Sequence, residues 1–252
     1  MPATAVTAVL MGLLGLIIGS FVAAVTVRLP RDEDVVMGRS RCMSCKKTLA
    51  PWQLVPVVSW LVQRGRCAWC SAAVSPRYIL IELAAGLIGV WAAFAGSGWV
   101  LIGASAVLGW QLLLIAIVDA ENFWLPDVLT WPLMATGLGV ALVTEGGWPV
   151  EQIIGLVTGF GLLWGMAWLY KRVRGRDGLG GGDPFLFAGA GAWIGWMGLP
   201  SVLLWACAVG FSLVLSLVIT RGKVNATDRL PFGTFLCVGI WLTWMYGPLG
   251  VT

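Results

Sequence analysis

Long apolar runs constrain this 252-residue chain more than any other feature of its sequence. Only 11% of its residues are charged, whereas a soluble domain carries roughly 25% charged residues. A helix that crosses a bilayer needs about 20 mostly apolar residues. Candidate runs, of which the sixth is the shortest, lie at 3–27, 79–96, 98–118, 128–145, 150–170, 184–198, 199–220 and 231–249. The sequence therefore predicts an all-α polytopic membrane protein with about eight transmembrane helices.

The distribution of basic residues predicts the orientation in the membrane. All 16 Lys and Arg residues lie in three segments, 28–77, 171–176 and 221–229. With eight spans these segments share one side, which the positive-inside rule makes cytoplasmic. Because the basic residues are divided among loops of a membrane protein, we expect lipid headgroups as their partners and no nucleic acid. The first run has no basic residue before it, so we expect a retained helix, not a cleaved signal peptide.

The one sizeable polar block, residues 28–77, carries a four-cysteine pattern. Two Cys-x2-Cys pairs are separated by 21 residues, and disulfides are disfavoured in a reducing cytoplasm. Four thiolates at this spacing match a closed tetrahedral zinc site, which would help a small insert to fold. We therefore predict a cytoplasmic zinc-knuckle insert between the first two helices, with free thiols or a redox pair as the alternative. The predicted ligands are Cys42, Cys45, Cys67 and Cys70.

Carboxylates beside the apolar runs are the candidate chemical groups. The chain contains no histidine, which excludes Ser-His and Cys-His nucleophile pairs. Asp119 ends the third run, where a helix C-terminus disfavours negative charge. Asp183 precedes Pro184 and follows a glycine-rich stretch, so it is either a functional acid or a helix N-cap. Asp127 follows a proline and has the same two interpretations.

Three functions remain open on these residues alone. Acids at membrane depth are costly, so Asp119 and Asp183 are candidates for a catalytic pair. An ion-coupled transporter would use the same acids as proton sites, but it predicts inverted repeats that this sequence does not show. A non-enzymatic scaffold would act through the cysteine insert and would tolerate substitution of either aspartate.

The order of several short segments resembles the bacterial type IV prepilin peptidases, which are membrane-embedded aspartic proteases. The resemblance begins at Gly19-Ser20-Phe21 and continues through Arg28-Leu29-Pro30 and the four-cysteine insert. The peptidase signatures are Asp119 followed by Leu125-Pro126-Asp127, and then Gly180-Gly181-Gly182-Asp183. The match runs nearly from end to end, and the order and spacing of the motifs together make it specific.

The resemblance implies a function and a role for each matching residue. Asp119 and Asp183 match the catalytic pair, with Asp127, Gly180 and Gly182 as supporting residues. Prepilins or pseudopilins are the implied substrates, cleaved after a short basic leader at the cytoplasmic face of the bacterial inner membrane. The family often also methylates the new N-terminus with S-adenosylmethionine, so that cofactor is implied beside structural zinc.

Two further expectations follow from the same resemblance. The family usually has a lysine two positions after the second catalytic aspartate, and this chain has Phe185 there. The chain is expected to divide into a first transmembrane helix at 1–27, the four-cysteine insert at 28–77, and a transmembrane aspartic peptidase core at 78–252.

Overall fold

The computed structural model of this chain describes residues 2–35, 38–96, 98–221 and 230–250, which contain helices and no β-strand. The all-α prediction is therefore confirmed for these residues. Lys223 and Arg229, two of the basic residues in the third segment, lie outside the described residues. The helices are α1 (Pro2–Arg28), α2 (Val58–Val62), α3 (Arg77–Ala92), α4 (Trp99–Asn122), α5 (Asp127–Glu145), α6 (Val150–Arg174), α7 (Asp183–Ile194), α8 (Leu199–Arg221) and α9 (Phe232–Tyr246).

Five helices of the described residues, α1, α4, α5, α6 and α8, are long and apolar enough to cross a membrane. Helices α3, α7 and α9 occupy the other three predicted runs but have only 16, 12 and 15 residues. Helix α7 ends early because Gly195 takes a φ of 76°, which breaks the helical path inside an apolar run. The predicted count of eight spans is therefore not confirmed.

The first compact unit covers residues 1–114, and its main contact is between α1 and α3. Glycines on α1 allow the two backbones to approach closely, as small residues do between membrane helices. A Cβ atom at Gly19 would lie 2.6 Å from the Cα atom of Glu82. Helix α4 joins α3 through the Trp110 indole N–H, which donates to the Ala85 carbonyl at 3.0 Å.

The second compact unit covers residues 115–252 and is built around α7. Ten of the 12 residues of α7 are buried, because α5, α6, α8 and α9 all contact it. Its closest neighbour is α6, where a Cβ atom at Gly159 would lie 2.6 Å from the Phe187 carbonyl oxygen. A short helix enclosed by longer ones is suited to carry a polar group at its end without exposing that group to lipid.

The two units differ from the three segments expected from the sequence. The boundary between the units falls inside α4, at residues 114 and 115, and α3 packs on α1. The expected division at 1–27, 28–77 and 78–252 therefore describes presumed roles along the chain, and it stays a prediction.

Candidate active site and candidate metal centre

Asp119 lies near the C-terminal end of α4 and is held by the first turn of α9. Its Oδ2 atom accepts a hydrogen bond from the Thr234 backbone N–H at 2.7 Å. The Thr234 hydroxyl lies 3.1 Å from the same oxygen and 3.0 Å from the Ala116 carbonyl oxygen, so its single proton is shared between two acceptors. Thr234 is the third residue of α9, and N–H groups in a first helical turn have no partner inside their own helix. The positive end of the α9 dipole favours a negative charge at this position. These contacts favour the ionised form of the Asp119 carboxyl group, whereas its burial opposes ionisation.

Asp183 is the first residue of α7 and is 3% exposed. Its Oδ2 atom accepts a hydrogen bond from the Gly180 N–H at 2.9 Å, and its own N–H donates to the Gly180 carbonyl at 3.2 Å. Burial, together with the negative charge of Asp119, raises the pKa of Asp183 to about 7, although the Gly180 N–H opposes the shift. Asp183 therefore carries a proton for part of the time at neutral pH.

Leu125 lies between the N-termini of α7 and α9. A Cβ atom at Gly182 would lie 2.6 Å from the Leu125 carbonyl oxygen, and one at Gly233 would lie 2.7 Å from its Cδ1 atom. Both glycines are adjacent to a residue of the candidate site, Gly182 to Asp183 and Gly233 to Thr234. One buried leucine thus spaces the two helix ends that hold the two carboxyl groups.

The predicted site residues are brought together to different degrees. Gly180 and Gly182 contact Asp183 and Leu125 as described above, so both lie within the site. Asp127 is exposed in the first turn of α5, and its predicted supporting role stays a prediction. Phe185 lies half-buried on α7 and packs edge-to-face on Phe160 of α6, with ring centroids 5.0 Å apart.

Two residues of the site were not singled out by the sequence analysis. Thr234 follows Pro231 by three residues, and a proline before an apolar run is a signal for a helix start with free N–H groups. Leu125 belongs to the Leu125-Pro126-Asp127 motif, but nothing in the sequence predicts that this leucine contacts two distant glycines. Both contacts depend on the tertiary fold.

The four cysteines of the insert form two knuckles with the same hydrogen-bond pattern. The N–H groups of Cys42 and Cys67 each donate to the carbonyl five residues later, on Lys47 and Ala72. The carbonyl of each of these cysteines accepts a hydrogen bond from the N–H of the residue four positions later in the chain. The residues that donate these N–H groups are Lys46 and Ser71. Both adopt positive φ, a strained conformation that is often found in tight turns at binding sites.

The cysteine cluster fits a tetrahedral metal ion. Its four Sγ atoms lie within 4.8 Å of one another, and those of Cys42 and Cys70 are 3.8 Å apart. Zinc–sulfur bonds of about 2.3 Å in a tetrahedron place sulfur atoms about 3.8 Å apart. The described residues therefore bring all four predicted ligands into one site of suitable size for zinc.

Comparisons with known proteins agree on one family. The protein-family model described as "Bacterial Peptidase A24 N-terminal domain" matches residues 13–95 of the sequence. The family model described as "Type IV leader peptidase family" matches residues 106–215. A Stutzerimonas stutzeri protein named "Prepilin leader peptidase/N-methyltransferase" is 35% identical over 93% of this chain and 89% of its own length. A protein of the same name from Burkholderia pseudomallei (strain K96243) is 37% identical over 93% of this chain and 84% of its own length. No solved structure gives a significant match.

Proposed function

Because the chain belongs to the type IV leader peptidase family, and is therefore an enzyme of the peptidase class, we propose that it is an aspartic endopeptidase that removes the basic leader from type IV prepilins or pseudopilins. One observation carries this proposal. Two buried carboxyl groups, Asp119 and Asp183, lie on either side of Leu125 with different hydrogen-bond partners. Such a pair supplies both an acid and a base without histidine.

The two carboxyl groups are assigned different roles in peptide hydrolysis. Asp119, which accepts the backbone N–H of Thr234, is the ionised base and takes a proton from the attacking water. Asp183 is the protonated acid and gives its proton to the carbonyl oxygen as the water oxygen bonds to the carbon. Asp119 then returns its proton to the leaving nitrogen as the carbon–nitrogen bond breaks, and Asp183 regains its own proton from the collapsing intermediate. The pair ends as it began.

The membrane topology of the proposal has eight helices in the bilayer of the inner membrane. The five long helices cross it, and α3, α7 and α9 are embedded among them although each is shorter than a full span. The three basic segments then face the cytoplasm, as the positive-inside rule requires. The active site opens to that side, where the basic leader of the substrate lies.

Two cofactors accompany the proposal. Cys42, Cys45, Cys67 and Cys70 would hold one zinc ion in the insert, and its part would be structural because four protein ligands would leave no open position. The relatives are named N-methyltransferases as well as peptidases. We therefore include methylation of the new N-terminus by S-adenosylmethionine as a second activity, and we assign no residues to it.

The test of the peptidase is leader removal from a co-expressed prepilin. The variants Asp119→Asn and Asp183→Asn should each abolish cleavage while the protein is still inserted. Asp177→Asn is the matched control, because Asp177 is an exposed aspartate paired with Lys171 at 2.9 Å. Normal cleavage by either active-site variant would contradict the aspartic mechanism and favour a scaffold. Proton uptake by vesicles containing the protein would favour the transporter alternative.

The second activity has a separate test. Purified protein is given S-adenosylmethionine and a pilin peptide that already lacks its leader, and the product is analysed by mass spectrometry. A mass increase at the peptide's N-terminal amine is expected from the wild type and from Asp183→Asn, because the peptide bond is already broken. Absence of this product would remove the methyltransferase activity and leave the peptidase proposal unaffected.

A further inference from the structure

The segment from Pro51 to Val62 carries an exposed apolar surface that the proposed function does not use. It contains a 3-10 helix, Pro51–Leu54, followed by α2. Trp60 turns inward, where its indole N–H donates to the Val74 carbonyl at 3.2 Å and its ring lies close to Gly65. The opposite side of the segment is exposed, and we call it the outer face: Trp52, Leu54, Val55, Val58, Leu61 and Val62.

A buried carboxylate of α3 fixes the position of this segment. The Oε2 atom of Glu82 accepts a hydrogen bond from the Val57 backbone N–H at 2.7 Å, and Glu82 is 8% exposed. Val57 takes φ 62° and ψ −53°, a conformation that β-branched residues rarely adopt. Such strain persists only where the surroundings enforce it. The bond to Glu82 is one contact that holds the chain in this position.

The hydrogen bond between Val57 and Glu82 lies within the lengths of the two neighbouring helices, α1 and α3. Glu82 lies five residues inside α3, or about 7.5 Å from its first residue, Arg77. On the neighbouring helix, Gly19 packs against Glu82, and α1 continues from Gly19 to Arg28 for about 13.5 Å more. Apart from Ser20, Thr26 and the terminal Arg28, that stretch of α1 is apolar, and it includes the exposed Phe21. The backbone of the segment at Val57 is therefore held below the ends of both helices, at a level where their surfaces suit lipid.

The charges next to the outer face suit a membrane surface. Arg64 and Arg66 follow α2 within four residues, and both are exposed. Basic residues at the edge of an apolar surface are typical of segments that lie in the interface of anionic bilayers. Such segments bury their apolar face about 5–10 Å into the boundary between headgroups and acyl chains. Glu82 lies at a similar distance, about 7.5 Å, along α3 from Arg77.

We propose that the outer face of residues 51–62 is a membrane-interface anchor, inserted at the boundary between headgroups and acyl chains and held there by the bond between Glu82 and Val57. The anchor attaches the cysteine insert to the bilayer at a third point, in addition to its chain connections to α1 and α3. It does not depend on the peptidase proposal, since no residue of the aspartate site takes part.

Spin labels on the full-length protein in nanodiscs test the anchor. A nitroxide amino acid introduced by an unnatural codon replaces Val62, with the cysteines left intact, and its collision rates with oxygen and with a water-soluble nickel chelate are compared. Labels at Leu10, exposed on α1, and at Arg176, exposed in the polar loop after α6, mark lipid and water respectively. The label at Val62 should give a positive depth parameter, more strongly in nanodiscs with phosphatidylglycerol than with phosphatidylcholine alone.

The remaining outcomes overturn the proposal. A label at Val62 that behaves like the one at Arg176 would place the outer face in water. A label shielded from both reagents would show that protein covers the face, either another part of the chain or a second copy. In the Val62-labelled protein, Glu82→Leu should lower the depth parameter, whereas Glu82→Gln, which keeps a hydrogen-bond acceptor, should preserve it. If Glu82→Leu fails to insert into the membrane, the Val62 label in the protein that keeps Glu82 still shows whether the outer face meets lipid or water.

Discussion

The Thr234 N–H donates to a carboxylate oxygen of Asp119 at 2.7 Å, and the Thr234 hydroxyl lies 3.1 Å from the same oxygen and 3.0 Å from the Ala116 carbonyl oxygen. The contact joins residues that are 115 positions apart in the chain. It makes a side chain of α4 the cap of α9, because the N–H groups of a first helical turn need an acceptor from elsewhere. The orientation of the Asp119 carboxyl group therefore depends on the start of α9.

The hydroxyl of Thr234 should contribute to catalysis through Asp119. We expect Thr234→Val, which keeps the shape and the backbone N–H, to lower kcat for leader cleavage about tenfold with little change in KM. Loss of a hydrogen bond to a charged group costs about 1.5–3 kcal/mol, and 1.4 kcal/mol corresponds to a factor of ten. Initial rates over a range of prepilin concentrations measure both constants, and Thr234→Ser should restore kcat. Wild-type kcat in the Val variant would show that the hydroxyl is dispensable.

Leu125 should matter for activity beyond its share of stability. Leu125→Ala removes the Cδ1 atom that contacts Gly233 and keeps the backbone carbonyl that contacts Gly182. The start of α9 then loses its contact with Leu125, so we expect kcat to fall by more than the loss of folded protein explains. The matched control is Leu133→Ala, a buried leucine of α5 that packs on Gly189 of α7 away from the carboxyl groups. Buried Leu→Ala changes cost about 2–5 kcal/mol, so both variants should show a lower Tm. Equal kcat per folded molecule in the two variants would argue against a spacer role.

The activity should fall at mildly alkaline pH. Asp183 must be protonated to act as the acid, and burial raises its pKa to about 7. We therefore expect kcat for leader cleavage in nanodiscs to decline as the pH rises through about 7, the region in which Asp183 loses its proton. The measurement is a pH profile of kcat between pH 5 and 9. A rate that stays constant or rises across this range would assign the acid role to another group.

Stability should follow the same titration with a defined sign. The pKa of Asp183 is higher in the folded protein than its ordinary value of 3.8, so the folded state binds the proton more tightly. Its contribution to stability is fully present below pH 3.8 and is lost as the pH rises through about 7. We expect Tm in nanodiscs to fall between pH 5 and 8 in the wild type and to fall less in Asp183→Asn. An equal fall in both proteins would trace it to other groups.

Much of the helical architecture and the candidate groups were predictable from the sequence. Apolar runs mark where helices form, and acids or cysteine pairs next to them stand out because their burial is costly without a partner. Helix lengths were not predictable, because Gly195 takes a positive φ within a run whose composition remains apolar. The partner of Asp119 was not predictable either, because Thr234 reaches it only after α9 packs in place.

The insert illustrates the same limit at a smaller scale. The spacing of the cysteines predicts one cluster, and their Sγ atoms do lie together. The sequence predicts that residues 51–61 are too short and too interrupted by proline to span the membrane, and it leaves open whether they lie on the membrane surface or pack against the cysteine knuckles. The structure shows that one side, at Trp60, packs against the second knuckle while the outer face is exposed. The hydrogen bond from Val57 to Glu82 is one contact that holds the segment in that arrangement.

Metal content should separate the cysteines of the insert from the others in the chain. We expect about one zinc ion per chain in the purified wild type, and loss of that zinc in the double variant Cys42→Ser/Cys70→Ser. Cys207→Ser is the matched control, because Cys207 is an exposed cysteine of α8 outside the cluster, and it should keep its zinc. Removal of a structural zinc should unfold the insert, so protease sensitivity between residues 28 and 77 should increase in the double variant alone. Wild-type protein that lacks zinc when purified without chelators, or a double variant that retains it, would contradict the metal site.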